Sequence, residues 1–344
     1  MTRATHAAVD GLATALALDE AAYRRAVDLA GLAPDRAAFL RNLDRFLMAV
    51  GAMLIVAGVA AFFAWNWAGL HHMAKFALLQ GGIVGAVILA WRLEPDSAGG
   101  RAALFAAAFL VGVLLAVFGQ VYQTGADPYG LFVAWALLIL PWVIVGRQAG
   151  LWLLLQVLLN LALILYWIQV LYPPEGWWQL SQLLGPLVWL GSTVMDWRLA
   201  SLLFVLNAGA VVAWELAAAR GVPWLQSRVY PRLTGLIALY TVLGPTLVMI
   251  FVASLDEQAQ LAIVSPALFV AVFAATLWYY QYRRFDLFML TMAMFGGILV
   301  IMALAIRHAF EGYGSPLLLA ALLIGLVGGA AFWLRAIAQR ARAA

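Results

Sequence analysis

The chain has 344 residues, 66% of them hydrophobic and only 10% charged, with a formal net charge of +4. Soluble domains are about 25% charged and about half apolar, so a water-soluble globule of this size is excluded. The solvent for most of the chain is lipid, and its basic residues, almost all arginine, are expected to set orientation in the membrane rather than to bind nucleic acid.

Residues 1–45 form the one sizeable polar piece, read as an N-terminal cytoplasmic helical module. Asp19 is placed to N-cap a short helix over Glu20–Ala30, with Tyr23, Ala26, Val27 and Ala30 on one face. Gly31 is a C-cap, and Pro34-Asp35 starts a second helix that runs into the first span. So small a module has no core of its own and must pack on the membrane domain, on a second copy or on a cytoplasmic protein partner. The first long apolar run starts at Phe46, too far along for the core of a cleavable signal peptide, so the first span is expected to direct insertion.

Residues 46–335 read as an all-α, polytopic transmembrane helix bundle of about ten spans, at about 20 residues per crossing. The spans fall at 46–65, 74–91, 102–119, 130–146, 151–171, 199–218, 233–254, 262–282, 286–306 and 315–334, followed by a basic cytoplasmic tail, 336–344. With the N-terminus in the cytoplasm, every one of the 20 basic residues lies inside except Lys75, Arg198 and Arg307, as the positive-inside rule requires. Residues 177–197 are apolar but interrupted by Gly185-Pro186 and Gly191. Counting them as a further span would reverse every later arginine, so they read as a re-entrant or interfacial piece at the outer face.

The densest polar chemistry is the stretch Phe118–Gly130, at the outer end of the third span. The first span ends at the same water layer with Trp65-Asn66-Trp67, and the fifth ends there with Gln169 and Tyr172. Asn66, Gln120, Tyr122, Gln123, Asp127 and Gln169 are therefore the candidate ligand-binding residues of an outward-facing pocket for a polar or lipid-like molecule. The competing reading is helix caps plus an aromatic belt, because Tyr and Trp favour the interface and Asp-Pro starts turns. Gly119 and Gly125 would let the backbone turn tightly there.

Asn160 and Asn207 lie mid-span and are expected to bond across helices, a role shared by Gln80 and Gln156. Lys75, Glu215 and Asp286 lie near span ends, where they can reach water, so no ionisable group is expected at depth. That counts against an ion-driven transporter. His71-His72 lacks metal-ligand spacing, and His308 with Glu311 reads as a solvated pair. Gly81 with Gly85, and Gly325 with Gly329, are candidate close-packing faces. The chain contains no cysteine, which excludes thiolate chemistry, and it has no phosphate loop, zinc signature or nucleophile elbow. No catalytic residue, metal or cofactor is assigned.

Three strings carry a family resemblance: Phe62-Phe63-Ala64-Trp65-Asn66-Trp67, Gly119-Gln120-Val121-Tyr122-Gln123-Thr124-Gly125-Ala126-Asp127-Pro128, and Arg283-Arg284-Phe285-Asp286-Leu287-Phe288. Together they resemble the bacterial membrane-protein family catalogued as domain of unknown function 2157, best over the N-terminal module and first five spans. The resemblance implies a bacterial inner-membrane location and carries over no activity. The expected function is binding or transport of a small polar or lipid-like molecule. The alternatives are a scaffold or sensor acting through residues 1–45, as a homo-oligomer or with a partner, and an envelope-lipid enzyme.

Overall fold

The structure, a computed structural model, describes residues 18–29, 69–94, 96–122, 125, 127–171, 197–252, 264–309 and 315–343, with scattered positions between 12 and 61. The expected first span at 46–65 lies mostly outside the described residues, and Asn66, Gln123 and 177–196 lie outside them entirely. The chain divides into two compact units, essentially residues 1–70 and 71–342.

In the first unit, helix α1 spans Glu20–Leu29. The Ala22 N–H donates to the Asp19 carboxylate at 2.6 Å, so Asp19 caps the helix as expected. Tyr23, Ala26 and Val27 are half-buried on the predicted face, while Glu20, Arg25 and Leu29 are exposed.

The second unit is a bundle of α2 (His72–Arg92), α3 (Ala98–Tyr122), α4 (Pro128–Gly146), α5 (Ala149–Tyr166), α6 (Trp197–Ala219), α7 (Val229–Val252), α8 (Val264–Trp278), α9 (Leu287–His308) and α10 (Pro316–Ala343). Wide-turn π segments extend α5 through Trp167–Leu171 and α8 through Tyr279–Arg283. Among the described residues these make nine helices long and apolar enough to cross a membrane, each within a few residues of an expected span except that α10 continues past 334 through most of the expected tail 336–344. From α2 to α9 consecutive helices pack as antiparallel neighbours, and α7 is the hub, packing on α5, α6, α8 and α9. The connections at 93–97, 147–148, 220–228 and 284–286 therefore gather Arg92, Arg101, Arg147, Arg220, Arg228, Arg283 and Arg284 at one end of the bundle, the Arg-rich end.

The flanks of 172–196 are informative. Ile164, Trp167 and Ile168 pack with Leu199 and Leu203, while Trp152 at the start of α5 packs with Trp214 late in α6. The two flanks, the end of α5 and the start of α6, thus lie at the same end of the bundle.

Lipid tails are as apolar as leucine, so burial alone does not hold spans together; close packing and interhelical hydrogen bonds do. Trp135 of α4 donates its indole N–H to the Ala108 carbonyl of α3 at 2.9 Å. Its ring lies against Gly112, where a Cβ would collide with it. The expected close-packing glycines behave differently: Gly81, Gly85, Gly325 and Gly329 face open space among the described residues. Ring size on the partner helix, which small-residue spacing does not report, decides which glycine is needed.

The mid-span amides do bond across helices. Asn207 Nδ2 donates to Asn160 Oδ1 at 2.7 Å, and Gln156 Nε2 donates to Asn207 Oδ1 at 2.9 Å. The Tyr230 hydroxyl donates to Gln156 Oε1 at 3.0 Å, so the cluster joins α5, α6 and α7. Gln80, expected to share this role, is exposed and takes no part in it. A double-mutant cycle of Asn160→Ala and Asn207→Ala, followed by thermal unfolding in detergent, is expected to return a coupling energy on the order of 1 kcal/mol. Strictly additive losses would mean that the two amides do not bond.

Candidate functional site

At the Arg-rich end, the two connections 220–228 and 284–286 converge on two carboxylates. Glu215, near the end of α6, and Asp286, in front of α9, are only 4% and 3% exposed. Arg228 lies between them, with ion pairs of 2.7 Å to each. Arg284 pairs with the second Glu215 oxygen at 2.7 Å, and Arg232 reaches Asp286 at 3.1 Å. The Tyr280 hydroxyl donates to Glu215 at 3.0 Å, and Arg284 also donates to the Gln226 side chain at 2.9 Å. Asp286 caps α9 as well, accepting from the Phe288 and Met289 N–H groups. The expectation that Glu215, Asp286 and Lys75 reach water from span ends is therefore corrected: all three are buried. Two guanidiniums on each carboxylate offset the desolvation that burial imposes.

The π segment Tyr279–Arg283 is what brings α8 into this network. Its wide turn closes with Arg284 N–H donating to the Tyr279 carbonyl at 3.1 Å, leaving Tyr280 and Arg284 both bonded to Glu215. Such segments in α-helices are rare and recur at functional sites.

Below the network lies a cleft of about 380 Å³. Helices α6 and α8 each pack on α7 with little contact between them, and the cleft is the space left over. Its walls are almost wholly apolar; Ala208, Val212, Phe273, Ala275 and Met292 line it, and Glu215 and Tyr280 close its Arg-rich end. Val212, Leu216 and Trp278, also in its walls, are more than half exposed, so the cleft opens sideways between spans. Its volume falls within the roughly 300–1,000 Å³ of small-molecule sites.

Of the six residues expected to line an outer pocket, Asn66 and Gln123 lie outside the described residues. Gln169 Oε1 accepts from the Tyr129 N–H at 3.3 Å, which joins the end of α5 to the start of α4 near Asp127. Asp127 is exposed at the N-cap position of α4, yet its side chain makes no capping bond. Gln120 is exposed, and Tyr122 stacks on Phe76 with ring centroids 6.0 Å apart. Gly125 has φ +58, as a tight turn requires, whereas Gly119 is simply helical. His71 caps α2, its Nδ1 accepting from the Met73 N–H.

The second half of the chain holds what sequence reading did not single out. Glu215 and Asp286 were visible as rare acids beside apolar runs, but their arginine partners lie on other elements, from 13 to 69 residues away along the chain. A signal was present nonetheless: two carboxylates and four arginines at connections of the same polarity.

Residues 11–152 match the family described as "Predicted membrane protein (DUF2157)". The match takes in the N-terminal helix and α2 to α4 and ends at the start of α5, short of the fifth span that the resemblance had included; it bears out the family resemblance and a membrane protein with several spans. No curated protein and no solved structure matches the chain. The cleft and the ion network fall outside the DUF2157 segment.

Burial alone would raise the Asp286 carboxyl, but hydrogen bonds from Arg232 and Arg228 outweigh it and hold the group below its ordinary value. Arg228 is shifted the other way: burial opposes its charge, and the bonds to Asp286 and Glu215 more than restore it. A carboxylate with a depressed folded pKa stabilises above its unfolded value, near pH 4, and that contribution is lost as pH falls through the folded value. Asp286→Asn is therefore expected to lower stability at pH 7 by on the order of 2 kcal/mol, allowing for partly exposed arginines. The gap from wild type should narrow below about pH 4 as the carboxylate protonates. A gap that stayed constant down to pH 3 would show that the charge of Asp286 contributes nothing.

Proposed function

We propose that the chain is a multi-pass protein of the bacterial inner membrane, with both termini cytoplasmic, that holds the hydrocarbon part of a lipid-like molecule in the cleft between α6 and α8. The cleft itself carries this reading: it is apolar, of ligand size, and opens toward hydrocarbon rather than water. The residues expected to form an outer-face pocket offer such a ligand less. Gln120, Tyr122 and Asp127 are exposed, and Gln169 already accepts from the Tyr129 backbone. The role is one of binding, with no catalytic group assigned. The arginine asymmetry supports the orientation, because the Arg-rich end retains the cytoplasmic side under the positive-inside rule. Residues 1–45 would then be available to a cytoplasmic protein partner.

Ala275 is exposed on the cleft wall, so Ala275→Trp fills the cleft without disturbing a packed core. Protein purified in mild detergent is expected to retain several-fold less co-purifying lipid with this substitution, at unchanged thermal stability. Equal retention would remove the cleft from consideration.

The absence of cysteine makes orientation directly readable. In intact cells with a permeabilised outer membrane, Asp127→Cys is expected to react with a membrane-impermeant maleimide. Asp96→Cys, at the Arg-rich end, should react only after the inner membrane is opened. The reverse pattern would invert the topology.

A further inference from the structure

We infer that the mouth of this cleft selects an anionic phospholipid, its phosphate held by Arg283 beside Trp278, an inference that rests on the cleft being a lipid site. A cleft open to the bilayer will always contain some acyl chain, because hydrocarbon fills it at no cost. Any selectivity must come from the polar group at its end, and that end is the Arg-rich one.

The four guanidiniums there are not equivalent. Arg228 bridges both carboxylates, and its side chain is only 19% exposed. Arg284 is divided between Glu215 and Gln226. Arg232 turns one edge to Asp286 and is 40% exposed, stacked over Phe288 at 5.4 Å. Arg283 is exposed, and its guanidinium lies 5.6 Å from the centre of the Trp278 ring. Among the described residues no carboxylate pairs with it. Trp278 is itself a wall of the cleft. An indole at a span end sits at headgroup level, and a cation on its face is held at that depth.

Charge complementarity points to an anion. Three guanidiniums meet two carboxylates and Arg283 adds a fourth beside them, so this end keeps a positive excess. Glu215 and Asp286 are already saturated by arginine and tyrosine hydrogen bonds, so an ammonium headgroup would find no free acceptor and a surplus of like charge. A phosphodiester without a compensating amine meets the opposite situation, with guanidinium donors free to bond it. Basic pockets between spans at the cytoplasmic leaflet bind anionic headgroups in this way.

The test uses the full chain, delipidated in detergent and titrated with dioleoyl-phosphatidylglycerol or dioleoyl-phosphatidylcholine, with bound lipid counted by native mass spectrometry. Wild type is expected to prefer phosphatidylglycerol by roughly tenfold, and Arg283→Gln to lower that preference about fivefold, with phosphatidylcholine, whose ammonium already meets like charge, weakened far less than phosphatidylglycerol. Arg92→Gln, an exposed arginine at the same end but on α2, should keep the full preference. Equal binding of the two lipids by wild type overturns the headgroup assignment. So does an undiminished preference in Arg283→Gln, or an equal loss in Arg92→Gln. The cleft is judged separately: Ala275→Trp should weaken both lipids alike, and if it weakens neither, the cleft reading fails whatever the headgroup result.

Discussion

Arg228 lies between two buried carboxylates from different parts of the chain, and the architecture of the second half depends on that arrangement. Glu215 comes from the end of α6, Asp286 from the start of α9, and Arg228 from the entry to α7. Arg284 and Tyr280 bring in the end of α8. Four helices are thereby tied at one end by charge-assisted bonds. Any one of these groups alone would be costly at such burial, since an unpaired ion out of water loses several kcal/mol of solvation. Together they are each other's solvent.

The cleft is the counterpart of that tie. Both α6 and α8 find their packing partner in α7, whose face is buried over 241–246 and whose Gly235 lets Met289 approach. Nothing apolar compels α6 and α8 to close on each other, because lipid can fill the gap as well as side chains can. The network joins their ends and closes the slot at the Arg-rich end, leaving the remainder apart. A polar latch above an apolar slot is thus one consequence of a single constraint, that charges in a membrane protein must be paired while apolar surface need not be.

Legibility followed the same physics. The amides Asn160 and Asn207 could be read as partners because hydrocarbon offers an amide nothing else to bond, and they are 2.7 Å apart. The spans could be read because their length is dictated by bilayer thickness. Asp19 was readable as a cap because capping is local, as its 2.6 Å bond to Ala22 attests. In the stretch around Gln120–Asp127, polar groups close in sequence fall on a helix end and a turn, where Gln120 and Asp127 are exposed. Glu215 and Asp286 were underread, because a carboxylate near a span end can reach water or be buried, and only the position of distant arginines decides between the two.

Hydropathy, span length and arginine distribution were enough to establish a polytopic helical bundle with one basic end, since each is a property of short segments meeting lipid or water. Which helices touch, which glycine receives an indole, where a cleft remains and which arginine is left without a carboxylate are properties of pairs of segments far apart in the chain. Arg283 and Arg284 are adjacent in sequence and chemically identical, yet Arg284 is bound to Glu215 and Arg283 is exposed over Trp278. The π turn at the end of α8 separates them, and no local preference in the sequence reports that.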